Sequence, residues 1–200
     1  MHNLILVRHG QSIWNKEKRF TGWVDVELTE QGKLEAHKAG MLIKDQKIKF
    51  DAYFTSRLKR AGNSLEIILE VLNKKNANVT KSSSLNERHY GGLTSLNKDE
   101  TVKKFGIKQV KIWRRSFDVA PPSIESTHPY KNKINSDILS ESLHDTFKRV
   151  VPYFEKNIKP LIILKKNILI VFHGNSCRAL LMKIFNISKE KIIDFEIPTG

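Results

Sequence analysis

Leu4-Ile5-Leu6-Val7 is an unbroken apolar run, the pattern of a short, fully buried strand. Arg8, His9 and Gly10 follow it directly, and Ser12 stands where a helix through Trp14 and Asn15 needs an N-cap. The same order returns near the other end. Ile168 to Phe172 is a second buried run, followed by His173-Gly174-Asn175-Ser176 and a helix through Ala179, Leu180, Met182 and Ile184. Between these units the pattern alternates. Thr29 caps a helix from Glu30 to about Gln46. Phe50 to Phe54 is a strand ending in Thr55-Ser56, and Leu58, Ala61, Leu65, Leu69 and Leu72 recur on one face of the next helix. Asn78 to Lys81 reads as a short strand, and Lys98–Phe105 and Val110–Phe117 as short helices. Ser140 caps a long helix bearing Leu143, Phe147, Val150, Phe154 and Ile158, which Pro152 should kink. Ile192 to Ile197 reads as a last strand. Two stretches carry no period. Leu85 to Gly92 is polar, aromatic and bounded by glycine, unlike core; Ala120 to Leu139, with Pro121-Pro122 and Pro129, reads as a surface loop.

Strands alternating with helices predict an open α/β sheet, and ligands bind such sheets beyond the carboxyl ends of the strands. His9 and His173 each fall at that edge, with a helix N-terminus beside them. A helix N-terminus attracts anions through its free N–H groups and its dipole. Arg8 adds a fixed charge, and two such histidines can converge on one phosphoryl group. Arg60 lies in the first turn of a helix, where the dipole disfavours a cation. A bound anion accounts for it there, and so does a carboxylate partner. Trp113-Arg114-Arg115 sets two guanidinium groups beside an aromatic, suited to bidentate recognition of carboxylate or phosphate. Phe20-Thr21-Gly22-Trp23 is a turn anchored by aromatics at the ligand-binding edge.

The length of 200 residues suits one domain spanning residues 1–200, and 40% hydrophobic residues is ordinary for a globular chain. No apolar run approaches the ~18 residues of a membrane span, and the N-terminus has no secretory pattern. The single cysteine, Cys177, excludes an internal disulfide framework and fits a reducing cytoplasm. No cysteine cluster or HExxH pattern suggests a metal. The 35 Lys and Arg against 21 Asp and Glu leave a formal charge of +14, which suits an anionic partner: nucleic acid, a membrane surface or a small phosphorylated substrate. Much of that excess is lysine scattered over presumed helix surfaces, such as Lys44, Lys47, Lys74 and Lys103, the pattern of a solvated face.

From end to end the chain resembles the cofactor-dependent phosphoglycerate mutases of the histidine phosphatase superfamily. The matching stretches include Leu6 to Ser12 with Trp14-Asn15, Phe20 to Trp23, Thr55 to Ala61, Leu85 to Gly91, Trp113 to Ser116, Glu141 to Leu143, His173 to Ser176 and Pro198-Thr199-Gly200. Arg-His-Gly alone gives only the superfamily; Asn86 to Gly91 and Trp113-Arg114-Arg115 are specific to the mutase branch. The resemblance implies a three-layer α/β/α fold, a mostly parallel sheet with helices on both faces. It implies interconversion of 3-phosphoglycerate and 2-phosphoglycerate, a step of glycolysis and gluconeogenesis, through a phosphohistidine primed by 2,3-bisphosphoglycerate, with no metal. By position, His9 is the nucleophile and Glu87 the general acid and base. Arg8, Arg60 and His173 hold the transferring phosphoryl group with Asn15. Thr21, Gly22, Tyr90, Lys98, Arg114, Arg115, Gly174 and Asn175 hold the rest of the substrate. The resemblance also implies a cytoplasmic homodimer or homotetramer; members of the family usually continue past Pro-Thr-Gly with another strand and a mobile tail, which is implied to shield the phosphohistidine from water.

The chemistry agrees with these roles. A nucleophilic imidazole must be neutral, and Arg8 and Arg60 disfavour imidazolium. The same cations stabilise charge on phosphoryl oxygens during transfer. A carboxyl group such as Glu87 moves the proton to and from the substrate hydroxyl. Its acid role calls for burial, since the arginines favour its ionised form. Two rivals differ in chemistry. A phosphatase of the same superfamily shares the phosphoryl site and admits water. A nucleic-acid binder driven by charge predicts steeply salt-dependent affinity, but no recognised nucleic-acid motif is present and all three tryptophans lie in the mutase stretches.

Overall fold

In this computed structural model residues 2–134 and 136–200 are described. Four strands, β1 (Leu4–Arg8), β2 (Ala52–Thr55), β3 (Val79–Lys81) and β4 (Ile168–Phe172), pair in parallel in the spatial order β1-β4-β2-β3. Leu4 pairs with Ile168 and Arg8 with Phe172, while Ala52 meets Ile168 from the other side. Parallel pairing requires long crossovers, and helices supply them. They are α1 (Ile13–Lys16), α2 (Glu30–Asp45), α3 (Lys59–Val71), α4 (Lys98–Phe105), α5 (Ile107–Arg115), α6 (Lys131–Ile134), α7 (Leu143–Tyr153), α8 (Lys159–Ile163) and α9 (Gly174–Phe185).

Side chains of β4 alternate between the faces of the sheet. Leu169 and Val171 pack with Val7, with Ala39 and Ile43 of α2, and with Leu65, Ile68 and Leu69 of α3. Ile168, Ile170 and Phe172 pack with Leu143 and Val150 of α7 and with Ala179, Leu180 and Met182 of α9. This is the expected three-layer arrangement, and it explains why β4 is apolar at every position. β1 differs from expectation. It is an edge strand and only Val7 is buried, because one flank has no neighbouring strand to cover it. No helix among the described residues is long and apolar enough to cross a membrane.

Local signals set the helix starts. Ser12 and Asn15 form a capping box on α1, and the Thr29 hydroxyl accepts from the Gly32 amide on α2. The long C-terminal helix is capped by Ser142, not Ser140, since Asp145 answers Ser142 in a capping box. Ser140 instead donates its hydroxyl to the Pro121 carbonyl. Helix α7 continues past Pro152 to Tyr153, and the next turn, Phe154–Ile158, widens into a π-helix before α8. The break expected from the proline lies just after it. α5 begins at Ile107, earlier than the apolar pattern indicated. The irregular stretch 120–139 holds the short α6 and buries Ile124; Asn135 lies outside the described residues.

Two larger expectations are overturned. Ile192 to Ile197 is not a strand: Lys191–Asp194 is a 3-10 turn and the following residues extend without a strand partner. Side chains take the carbonyls a ladder would use, Arg178 that of Ile192 and Arg8 that of Ile197. Leu85 to Gly92 is not outside the core, since Leu85, Asn86, Arg88 and His89 are buried. Its polar backbone is satisfied there by Arg149 and Glu141. Arg149 donates to the carbonyls of Ser84, Asn86 and Glu87, each at 2.9 Å, and the Glu141 carboxylate accepts from the His89 amide at 2.8 Å.

Candidate active site

β1 carries the chain to His9, whose amide donates to the Phe172 carbonyl at 3.0 Å and so extends the strand pairing by one residue. The chain then crosses α2 at Gly10. A Cβ on Gly10 would sit 2.0 Å from the Gly32 carbonyl oxygen, so only glycine lets the backbones approach this closely. The His9 ring is fixed in turn. Its Nδ1 lies 2.6 Å from the Gly10 carbonyl oxygen, which can only accept. Nδ1 therefore carries the proton, and the Nε2 lone pair is left for chemistry. Arg60 Nε–H donates to that lone pair at 3.3 Å. Burial first, then Arg60, hold the His9 pKa well below the ordinary value, so the ring is neutral at neutral pH.

Arg60 is 1% exposed in the first turn of α3. Its two terminal nitrogens donate to the carbonyls of Val24 at 3.0 Å and Gly22 at 2.7 Å. The loop of residues 21–24 thus neutralises the awkward position that the sequence left open, and no carboxylate contacts the guanidinium directly. Burial lowers the Arg60 pKa to about 10, which keeps it charged at neutral pH. Gly22 holds a φ of 54°, and a Cβ there would approach the Tyr90 amide at 3.1 Å. Arg8 reaches the Ile197 carbonyl with one terminal nitrogen, and its Nε is buried with no partner.

His173 stands at the end of β4 and packs edge-on against His9, the ring centroids 5.0 Å apart. Its Nε2 lies 2.7 Å from the Ser56 hydroxyl, and its Nδ1 is buried without a partner. Burial, then the Arg60 charge, push its pKa well down. The Glu87 carboxylate closes the other side. One of its oxygens accepts from the Arg88 amide at 2.7 Å and from the Asn175 amide at 3.1 Å, the latter at the N-terminus of α9. Its carbonyl is held by Arg149 and by the Trp23 indole N–H.

These groups border a cavity of about 270 Å³. Arg8, His9, Asn15, Thr21, Gly22, Arg60 and Glu87 line it, and Tyr90, Lys98, Arg114, Arg115, Gly174 and Asn175 complete it. Of the residues expected from the sequence, His173 alone lies behind the wall, fully buried against His9. A small cluster of Phe20, Leu93 and Val110, with Trp113 and Tyr90 against it, holds α4 and α5 so that Lys98 and the arginine pair reach the cavity. The Asn15 carbonyl oxygen is used by the Ser12 amide and hydroxyl, leaving its NH2 group to the cavity.

Sequence reasoning missed several lining residues: Arg19, Phe20, Arg178, Glu196 and Ile197. Arg19 lies over the Trp14 ring at 4.2 Å. Arg178 had a signal, a lone cation among buried Cys177, Ala179 and Leu180. Glu196, ion-paired with Arg115, had none. The Arg149–Glu141 pair behind Glu87 was also missed, with contacts of 2.6 and 2.8 Å.

A parallel α/β sheet that presents a neutral histidine, backed by a second one, and an arginine array to one cavity defines a phosphoryl-transfer site, and the comparisons agree. The chain belongs to the histidine phosphatase superfamily, branch 1, whose sequence profile matches residues 4–200. Within it, the chain is 50% identical over 206 residues to the 2,3-bisphosphoglycerate-dependent phosphoglycerate mutase of Hamiltonella defensa, covering 98% of this chain and 83% of that protein. It is also 50% identical, with the same coverage, to the protein of that name from Treponema denticola, and 49% identical to that of Buchnera aphidicola over 100% of this chain and 90% of the relative. Among solved structures, the phosphoglycerate mutase from Bacillus anthracis superposes with a TM-score of 0.68 at 22% identity, over 92% of this chain and 80% of that one. Mycobacterial hydrolase 1 does so with 0.79 at 20% identity, over 100% and 86%. Both share the fold.

Proposed function

We propose that this chain interconverts 3-phosphoglycerate and 2-phosphoglycerate through a phosphohistidine on His9, primed by 2,3-bisphosphoglycerate. The observation that carries the reading is the His9 ring: Nδ1 is tied to the Gly10 carbonyl, and Nε2, the unprotonated nitrogen of a neutral ring, faces Arg60, whose Nε–H donates to it. The identity near 50% to relatives named as such mutases supports the substrate. The cavity suits a small molecule with several negative charges, since Arg8, Arg19, Arg60, Lys98, Arg114 and Arg115 all border it. The buried, unpartnered Arg8 Nε fits a phosphate oxygen in particular.

His9 Nε2 attacks the phosphorus of the bound phosphate ester. The bond from phosphorus to the ester oxygen breaks, and the Glu87 carboxyl gives its proton to that oxygen. Arg8 and Arg60 meet the charge on the equatorial oxygens, so no metal is required. In the return step Glu87 takes the proton from the accepting hydroxyl, and the phosphoryl group passes from Nε2 to that oxygen. Glu87 lines the same cavity as the imidazole and is braced through its own backbone, which suits it to serve either hydroxyl.

The test follows 2-phosphoglycerate formed from 3-phosphoglycerate, with and without 2,3-bisphosphoglycerate, and released phosphate in parallel. Isomerisation should rise with the primer, outpace phosphate release and survive a strong chelator. Phosphate release without 2-phosphoglycerate would assign the chain to the hydrolytic side of the superfamily instead.

A further inference from the structure

Asn175 has a donor and an acceptor of nearly equal size on its amide, so its partners decide which one faces the cavity. Arg178 is the residue three positions on in α9, on the same side of the helix. It is 3% exposed and borders the cavity. Its guanidinium can only donate. One terminal nitrogen donates to the Asn175 carbonyl oxygen at 3.0 Å, and the other to the Ile192 carbonyl. With its oxygen taken, Asn175 turns its NH2 group to the Tyr90 hydroxyl oxygen at 3.2 Å. Tyr90 accepts there, which leaves its own O–H to point at a ligand.

We propose that Arg178 is a positioning residue that sets this chain of donors: Arg178 fixes Asn175, Asn175 fixes Tyr90, and these two side chains meet an anion with hydrogens. The proposal rests on the phosphoglycerate reading only for the choice of probe. Asn15, also lining the cavity, follows the same plan, its oxygen held by Ser12. A guanidinium is costly to bury among apolar residues, and Arg178 Nε has no partner at all. Burial lowers the Arg178 pKa to about 10, so the group remains a cation at neutral pH. Without it, the amide is free to rotate. Its oxygen then faces Tyr90 and draws the phenolic hydrogen away from the cavity, and two donors to the substrate are lost together.

The experiment measures 3-phosphoglycerate binding by calorimetry for the parent chain, Arg178→Met, Asn175→Ala and the double variant. Arg178→Met should weaken binding by about tenfold or more, the worth of a hydrogen bond to a charged group. In the Asn175→Ala background the same change should shift affinity by less than about twofold, because the residue acts through that amide. Equal losses in both backgrounds, or no loss in either, would overturn the proposal. Arg178→Lys and Arg178→Gln give a second comparison should Arg178→Met fail to fold. Lysine only donates and should keep most of the affinity; glutamine can also accept and should not, and equal binding by both counts against the idea. A ligand-free readout separates this from the substrate assignment. The Asn175 side-chain NH2 resonance should shift on Tyr90→Phe in the parent and not in Arg178→Met. A parent that fails to bind 3-phosphoglycerate but passes this NMR test would sink only the substrate assignment; no shift in the parent would sink the positioning role.

Discussion

Arg149→Met removes the guanidinium that braces the Glu87 loop and keeps the aliphatic stem. The Arg149 side chain is 16% exposed and its partner Glu141 is 3% exposed, so this is a largely desolvated pair. Breaking such a pair from one side costs about 3–5 kcal/mol, because a buried charge is left uncompensated. Glu141 would retain only the His89 amide as a donor. Three carbonyls, those of Ser84, Asn86 and Glu87, lose a donor as well, though the Trp23 indole still holds the last. Water reaching the loop offsets part of this, so the net loss is set at about 4 kcal/mol, a large share of the ~5–15 kcal/mol of a typical protein. With a urea m-value near 2 kcal/mol/M the unfolding midpoint falls by about 2 M. Glu141→Gln relieves the stranded charge, so the double variant should be more stable than Arg149→Met alone. Turnover should fall more than KM rises, since the loop positions Glu87. A midpoint shift below ~0.5 M, the size expected of a surface ion pair, or strict additivity in the double variant, would refute the reasoning.

Other outcomes follow from the same geometry. Glu87→Gln keeps the shape and loses the titratable proton, so kcat should fall by roughly 10² to 10⁴ with KM little changed; near-normal turnover would mean another group moves the proton. Gly10→Ala puts a methyl 2.0 Å from the Gly32 carbonyl oxygen, and overpacking against backbone should cost about 3 kcal/mol, read as a lower urea midpoint; a midpoint equal to the parent's would show that the crossing yields. Burial above all lowers the pKa values of His9, His173 and His89, the last to about 4. The unfolded chain therefore binds more protons below about pH 6.5, and stability should fall as pH drops from 7 towards 5, by up to ~1.4 kcal/mol per pH unit for each histidine. Urea midpoints that stay flat or rise over that range would contradict the neutral buried rings.

What the sequence made legible was encoded locally. The apolar run of β4, the caps at Ser12 and Thr29, and the one-faced pattern of α3 each depend on neighbours within a few residues, and each forms as expected. Arg8, His9 and Arg60 were legible because their motifs set them at strand ends and a helix start; Glu87, Tyr90 and Lys98 came from the family resemblance. The parts that did not follow are non-local. Ile192 to Ile197 has strand-like composition, but its carbonyls are claimed by Arg178 and Arg8 from elsewhere in the chain. The Leu85 to Gly92 stretch looks polar, yet Arg149 and Glu141, more than fifty residues on, allow its burial. β1 has the same apolar run as β4 and is only partly buried, since an edge position is a property of sheet order. Ser140 and Ser142 are equal as caps on composition; Asp145 decides between them by answering from three residues beyond Ser142.

The central claim is that the Nε2 atom of His9 receives the phosphoryl group. The direct measurement incubates the chain with 2,3-bisphosphoglycerate, locates the label by mass spectrometry under conditions that preserve phosphohistidine, and assigns the ring nitrogen by 31P and 15N NMR. The structure predicts one acid-labile phosphoryl group, on His9, bonded to Nε2, because Nδ1 is committed to the Gly10 carbonyl. A label on Nδ1, on His173, or of equal extent in His9→Ala would contradict it.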